Sequence, residues 1–283
     1  MLDGLRCIDI NEIIKTVAGL CVRANTCIGA DIRAALSEAR SAETYPLAQS
    51  ALDVLLENAD IAEREKIPVC QDTGMVVVFV SIGRGVHING DINAAINEGV
   101  RQGYKTGYLR NSVVGDPISR VNTGDNTPAI IHYDFTSGDE LSLTVMPKGF
   151  GSENMSALRM FEPSDGIEQI EDFIVETVKL ADANPCPPII IGAGIGGTME
   201  KAAVMSKQAL LRKVGSIHAD PFWAGVEKRL FERINLLNIG AAGYGGKTTV
   251  LAVYIMTYPT HIAGLPVAVN IGCHVTRHQT AVL

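Results

Sequence analysis

Three cysteines differ from the other three in the residues around them. Cys70 lies in Pro68-Val69-Cys70-Gln71-Asp72-Thr73-Gly74, Cys186 in Asn184-Pro185-Cys186-Pro187-Pro188, and Cys273 in Gly272-Cys273-His274-Val275-Thr276-Arg277-His278. A thiol followed at once by an amide, a carboxylate, a hydroxyl and a glycine suits a ligand-holding loop better than a strand. Prolines at 185, 187 and 188 fix the backbone about Cys186 and remove three amide donors, so a helix is excluded there. These residue types admit three readings: small apolar core side chains, a zinc site shared with neighbouring histidines, or ligands of an iron–sulfur cluster. No Cys-x-x-Cys pair accompanies them, and the thiols stand 116 and 87 positions apart, each alone in its own loop. Such dispersion suits a cluster with three protein ligands. One of its irons then stays open as a Lewis acid, whereas four thiolates would leave the cluster fit mainly for electron transfer.

The elements that must position these loops follow from apolar spacing. Ile10, Ile13, Ile14, Val17, Leu20 and Cys21 keep helical period behind Asp9 or Asn11, which puts Cys21 in the core. Asp31 is expected to cap a second helix through Ala39, and Pro46 to open a third through Ala59. The first 65 residues thus read as a helical cluster leading into the Cys70 loop, followed by a buried strand, Met75 to Val80. Asp91 should open a helix ending near Gly103–Gly107. Ala129–Phe135 and Leu141–Met146 flank the turn Thr136-Ser137-Gly138-Asp139 and predict a β-hairpin. A helix from Ile167, a strand at Pro188–Ile191, a helix from Met199, and strands at Val250–Met256 and Val267–Ile271 complete a mixed α/β chain.

Composition bounds the partners. The chain has 283 residues, a formal charge of -7 and a mean hydropathy of +0.18, with no Lys/Arg block. That balance argues against nucleic acid and anionic membrane surfaces. No apolar run approaches the roughly 20 residues of a spanning helix, and the N-terminus has no signal-peptide core. A cytoplasmic protein with reduced thiols is expected.

Two glycine-rich stretches imitate nucleotide motifs. Gly192-Ala193-Gly194-Ile195-Gly196-Gly197 matches the dinucleotide fingerprint in form, but no strand ending in an acid follows about 20 residues later. Gly243-Tyr244-Gly245-Gly246-Lys247-Thr248 lacks the first glycine of a P-loop, since position 241 is Ala. A bend leading into a strand is the better reading of the second. For the first, glycines would let amides at a helix N-terminus approach an anion.

Taken together, the motifs resemble the class I (iron–sulfur) fumarase family, and more closely its two-subunit form, which includes L(+)-tartrate dehydratase. The likeness is carried by CQDTG (70–74), GYLRNS (107–112), NTGDNTP (122–128), KGFGSEN (148–154), NPCPPIIIGAGIGG (184–197) and GCHVTRH (272–278), and covers nearly the whole chain. It implies a 4Fe–4S cluster held by Cys70, Cys186 and Cys273. It also implies substrate contacts from Gln71 and Asp72, with Asp72 a proton-transfer group or hydroxyl anchor. Arg110 matches the arginine that clamps a substrate carboxylate, as a forked guanidinium can. His261 matches a histidine near the substrate. Backbone amides around Gly149 and Gly151 are expected at the other carboxylate, although position 150 is Phe where the family has a third glycine.

The implied reaction adds water across, or removes it from, a double bond beside a carboxylate, with fumarate as the preferred small dicarboxylate substrate. L(+)-tartrate is the near alternative. This chain supplies no second base, and single-chain relatives carry a further C-terminal domain. The resemblance therefore implies a separate β-subunit completing the active site, in an α2β2 hetero-oligomer. Two readings of other classes stand beside it: a nucleotide-binding oxidoreductase using the Gly192–Gly197 loop, and a non-catalytic iron–sulfur or zinc scaffold.

Overall fold

The computed structural model describes residues 5–283. Met1 to Gly4, the first part of the segment that lacks a signal-peptide core, lie outside the described residues. The chain runs β1 (Arg6–Asp9), α1 (Ile10–Thr26), α2 (Ala30–Ala42), α3 (Pro46–Glu65), β2 (Met75–Gly83), β3 (Val86–Asn89) and α4 (Ile92–Thr106). It continues through β4 (Ile130–Thr136), β5 (Leu141–Lys148), the one-turn α5 (Phe150–Glu153), β6 (Ala157–Phe161), α6 (Ile167–Ala181) and β7 (Ile189–Gly196). The remainder is α7 (Met199–Ala209), α8 (Pro221–Asn235), β8 (Val250–Tyr258), β9 (Leu265–Gly272) and β10 (Gln279–Val282). The mixed α/β class and the three N-terminal helices agree with the sequence.

The chain divides into two compact units, one formed by residues up to Ile28, Ala59–Phe150 and Arg277–Leu283, the other by Gly29–Asn58 and Gly151–Thr276. In the first unit a sheet of order β10-β5-β2-β4 packs against α1, which in turn packs on α4. Asp9 caps α1 through the Asn11 amide, and Asp91 caps α4 through the amides of Asn93 and Ala94. The stripe Ile13, Val17, Leu20 and Cys21 faces Ala95, Ile96, Val100 and Tyr104, and meets Val76, Val78 and Val80 of β2. Each such aliphatic side chain contributes about 1.5–3 kcal/mol on burial.

The expected hairpin is corrected. Both strands form, but β4 pairs with β2 in parallel and β5 pairs with β2 in antiparallel, so β2 lies between them. The Met-Val-Val-Val-Phe-Val run of β2 is apolar toward both faces and takes the central place, whereas alternation in β5 identifies a strand but not its neighbour. Asp31 is corrected likewise. Gly29 holds the N-cap position of α2 without a side-chain bond, and Asp31 accepts the Val214 amide at 2.7 Å instead.

The second unit has a sheet of order β6-β9-β7-β8, with α6 and α8 on one face and α7 on the other. Ile189, Ile191, Ala193 and Ile195 of β7 pack with Val267, Val269 and Ile271 of β9 beneath α6 and α8. One helical stretch, Ile10–Ala42, reaches membrane-spanning length and hydropathy. It is two helices, however. α1 alone spans about 25 Å, carries Glu12, Lys15 and Arg23, and spends its apolar stripe on α4 and the sheet.

Candidate active site

In the first unit the Cys70 loop is held by bonds from three directions. The Val69 amide donates to Asn25 O at 2.9 Å, and the Tyr104 hydroxyl donates to Thr73 O at 2.6 Å. Burial pushes the Tyr104 phenol well above its ordinary pKa, so it stays a neutral donor. Thr73 donates from Oγ1 to Arg110 O at 2.9 Å, which ties the cysteine loop to the arginine loop. Asn126, fully buried, donates to Gly74 O at 3.1 Å and accepts the Ser112 amide at 2.7 Å. One amide thereby joins the CQDTG, GYLRNS and NTGDNTP segments. Gly74 itself has φ 79°, and a Cβ there would come within 2.7 Å of the Lys148 amide nitrogen.

Asp72 is the centre of this network. Its Oδ1 accepts the Gly74 amide at 2.9 Å, and its Oδ2 accepts the Phe150 amide at 2.8 Å. Its main-chain carbonyl accepts a bond from Arg277 Nη2. Cys70 is half-buried and Gln71 exposed. Arg110 is also exposed, and its guanidinium makes no hydrogen bond or ion pair among the described residues. The first unit thus gathers Cys70, Gln71, Asp72, Arg110 and Gly149 around one set of loops. The Phe150 amide, in the loop expected to present amides to a carboxylate, is occupied by Asp72.

In the second unit the two remaining cysteines approach along one end of the sheet. Cys186 has φ 57° in the proline segment just before β7, and its side chain is exposed. Cys273 is half-buried directly after β9, where Gly272 pairs with Ile190. The carbonyl of Cys186 accepts both the His274 amide at 3.3 Å and His274 Nδ1 at 3.0 Å, so Nδ1 carries the proton. Thr276 closes the Cys273 turn by donating from Oγ1 to Cys273 O at 2.8 Å. His274 lies in this turn, while His278, four positions on, belongs to the irregular segment of the first unit, so the two share no helix. Gly151 also belongs here; a Cβ on it would sit 3.7 Å from Asn184 O.

His261 is elsewhere. It lies exposed in the β8–β9 turn, where Nδ1 accepts the Ala263 amide at 3.1 Å and Thr260 donates to Gly197 O at 2.9 Å. Gly196 pairs with Tyr258 at this end, so the length of β9 separates His261 from Cys273 and Cys186. The unit does not bring that histidine to the two thiols.

Both nucleotide look-alikes have structural explanations. Gly192 and Gly194 lie inside β7, where a Cβ would fall 2.0 Å from Ser206 O and 2.1 Å from Ala202 O of α7. They serve helix–sheet contact, not an anion; Gly196 ends the strand, and Gly197 alone of these glycines lies in the turn before α7. Lys247 donates its amide to Glu43 Oε2 at 2.6 Å and its ammonium to Ala42 O at 3.0 Å, which occupies the lysine a P-loop would aim at phosphate.

All six cysteines are thiols. Burial in α1 pushes Cys21 up to about 12 and makes it inert. Cys70, Cys186 and Cys273 instead lie outside helices and strands, with at least part of each residue accessible. Among the described residues no three His, Cys, Asp or Glu side chains surround a single-ion site. The buried Nε of Arg277, without an acceptor, adds a cationic group beside the Cys70 loop. The residues present fit an anionic iron–sulfur group. In the sequence Asn126 is only one residue of the NTGDNTP motif and Arg277 only a neighbour of Cys273; no sequence signal shows that Asn126 bridges three loops.

The family model described as Fumarate hydratase (Fumerase) matches residues 14–282. A protein of Methanocaldococcus jannaschii, named "Putative L(+)-tartrate dehydratase subunit alpha", is 42% identical over 254 residues, covering 87% of this chain and 89% of its own. The L(+)-tartrate dehydratase subunit alpha of Escherichia coli is 30% identical over 275 residues, covering 96% of this chain and 90% of its own. A hydro-lyase class is thereby defined. The chain belongs to the fumarate hydratase (Fumerase) family.

Proposed function

We propose that the chain is the α-subunit of an iron–sulfur hydro-lyase that adds water to fumarate, giving malate, and catalyses the reverse elimination. Cys70, Cys186 and Cys273 are its three cluster thiolates. When bound, the 4Fe–4S cluster supplies a Lewis-acid iron at the reacting carbon–oxygen bond. Arg110, exposed and with no side-chain partner among the described residues, clamps one substrate carboxylate. Gln71, on the Cys70 loop, is a further contact, and amides of the Gly149–Gly151 loop face the other carboxylate. Asp72 anchors the substrate hydroxyl or moves a proton, using the lone pairs that its two amide bonds leave open. His261 lies at the far end of β9 from Cys186 and Cys273, so its catalytic role in this reading is played at the site of another copy of the chain.

A β-subunit completes the active site, in an α2β2 assembly of the cytoplasm. The relatives' designation as α-subunits supports the partner. The observation that carries the reading is the pair of hydrogen bonds from His274 to the Cys186 carbonyl, which couples two thiol-bearing loops at one sheet end. A second reading, dehydration of L(+)-tartrate, is favoured by the names of those relatives.

The test is iron and acid-labile sulfide per chain after anaerobic purification, for wild type and for Cys70→Ser, Cys186→Ser and Cys273→Ser. About four of each in wild type is expected, lost in the three variants and kept in Cys7→Ser. Malate formation and tartrate loss, assayed with the β-subunit, then separate the substrates. Stoichiometric zinc without sulfide would overturn the reading.

A further inference from the structure

Arg277 belongs to no role assigned so far, yet its setting is unusual. The residue is 5% exposed, and its one hydrogen bond among the described residues runs from Nη2 to the Asp72 carbonyl, two residues from Cys70. Nε is buried without an acceptor, and the guanidinium has no ion pair among the described residues. A buried cation is retained only where something offsets its desolvation. The surrounding groups of the first unit do not. Burial keeps Tyr104 and Cys21 protonated, since it pushes both upward. The Asp72 carboxylate faces the amides of Gly74 and Phe150. Asn25 Oδ1, also buried and without a donor, could take one N–H but carries no charge to set against the guanidinium.

We propose that Arg277 is a positioning cation for the iron–sulfur group: its guanidinium, oriented by the Asp72 carbonyl, offers charge and a hydrogen bond to anionic sulfur at the Cys70 loop. The proposal rests on the cluster reading above. A 4Fe–4S core with three thiolates carries net negative charge, and hydrogen bonds to its sulfurs set its potential and its retention. Burial argues for sulfur over a substrate carboxylate, because a side chain so withdrawn from solvent is poorly placed to meet a ligand that must come and go.

The experiment compares wild type, Arg277→Met and Arg277→Lys, with Arg110→Met as an exposed control. Thermal melting of the apo chain, iron and sulfide content after anaerobic reconstitution, and the cluster's midpoint potential by electron paramagnetic resonance are measured. Apo Arg277→Met should melt at or above wild type, since an uncompensated buried charge has gone, yet lose cluster on gel filtration at least about tenfold more readily. Arg277→Lys should keep the cluster at a more negative potential, and Arg110→Met should change neither. An apo chain destabilised by Arg277→Met, with loading and potential unchanged, would make the residue a structural tie and overturn the proposal. Full loading of both Arg277 variants with a raised KM would move it to the substrate and overturn it equally. A wild type that takes up no iron and sulfide would overturn the cluster reading and this proposal together; a loaded wild type with equally loaded variants overturns only the latter.

Discussion

Asp72 and Phe150 meet across two loops, the aspartate Oδ2 accepting the Phe150 amide at 2.8 Å while Oδ1 holds the Gly74 amide at 2.9 Å. A carboxylate occupied in this way is a brace as well as a reactive group. Asp72→Ala should destabilise the apo chain by about 2–4 kcal/mol, because two amides lose their acceptor. Asp72→Asn, which keeps one acceptor oxygen, should cost about half of that. Urea unfolding of the apo chain measures both, and midpoints equal to wild type would show that the brace carries no stability.

Asn126 should be as sensitive without bearing any reactive atom. Removal of its amide in Asn126→Ala strands the Ser112 donor and leaves Gly74 O with only the Tyr104 hydroxyl at 2.9 Å, at a cost of about 2–4 kcal/mol. Asn126→Asp should be worse, since a carboxylate oxygen would face the Gly74 carbonyl. The order Asp below Ala in melting temperature checks the orientation of this side chain.

Gly192 gives a test of the dinucleotide look-alike. Its missing Cβ lets α7 lie on β7, and a methyl group would stand 2.0 Å from Ser206 O. Gly192→Ala should therefore lower stability by about 3 kcal/mol or more. Titration with NAD should give no binding signal in either protein. Tight cofactor binding by wild type, lost in the variant, would reinstate the nucleotide reading.

Acid should weaken the loop around Asp125. Burial works to raise its pKa, but the Thr127 hydroxyl and amide and the Arg101 guanidinium outweigh it and bring the group down from 3.8 to about 2. The folded value lies below the unfolded one, so its contribution is complete above about pH 4 and fades as pH falls toward 2. Asp125→Asn should be less stable than wild type at neutral pH. The gap should close between about pH 4 and pH 2, as followed by chemical unfolding across that range.

The sequence disclosed strands, helices and caps where one residue type dictates local geometry. Asp9, Pro46 and Asp91 open their helices, and the apolar run after Gly74 is a strand. It could not disclose partners. Alternation in β5 is the same whether its neighbour is β4 or β2, and Asp31 has the same capping chemistry whether it bonds its own helix or Val214. The site was legible as motifs but not as connections. Glycines 192 and 194 read as an anion loop because a tight helix–sheet contact and a phosphate turn both demand the absence of a side chain. Arg277 was visible as a charge beside a cysteine, while its burial and unanswered Nε exist only in the folded chain.

β9 works as a ruler. It carries Cys273 at one tip and the His261 turn beyond the other, and its eight residues set the tips about 23 Å apart at ~3.3 Å per step. A four-carbon dicarboxylate is only about 6 Å from end to end, judged from ordinary bond lengths. No single substrate molecule can touch both tips of one such strand. Within any one copy of this sheet the thiol end and the histidine end must attend to different molecules, or to the same kind of molecule bound in two places.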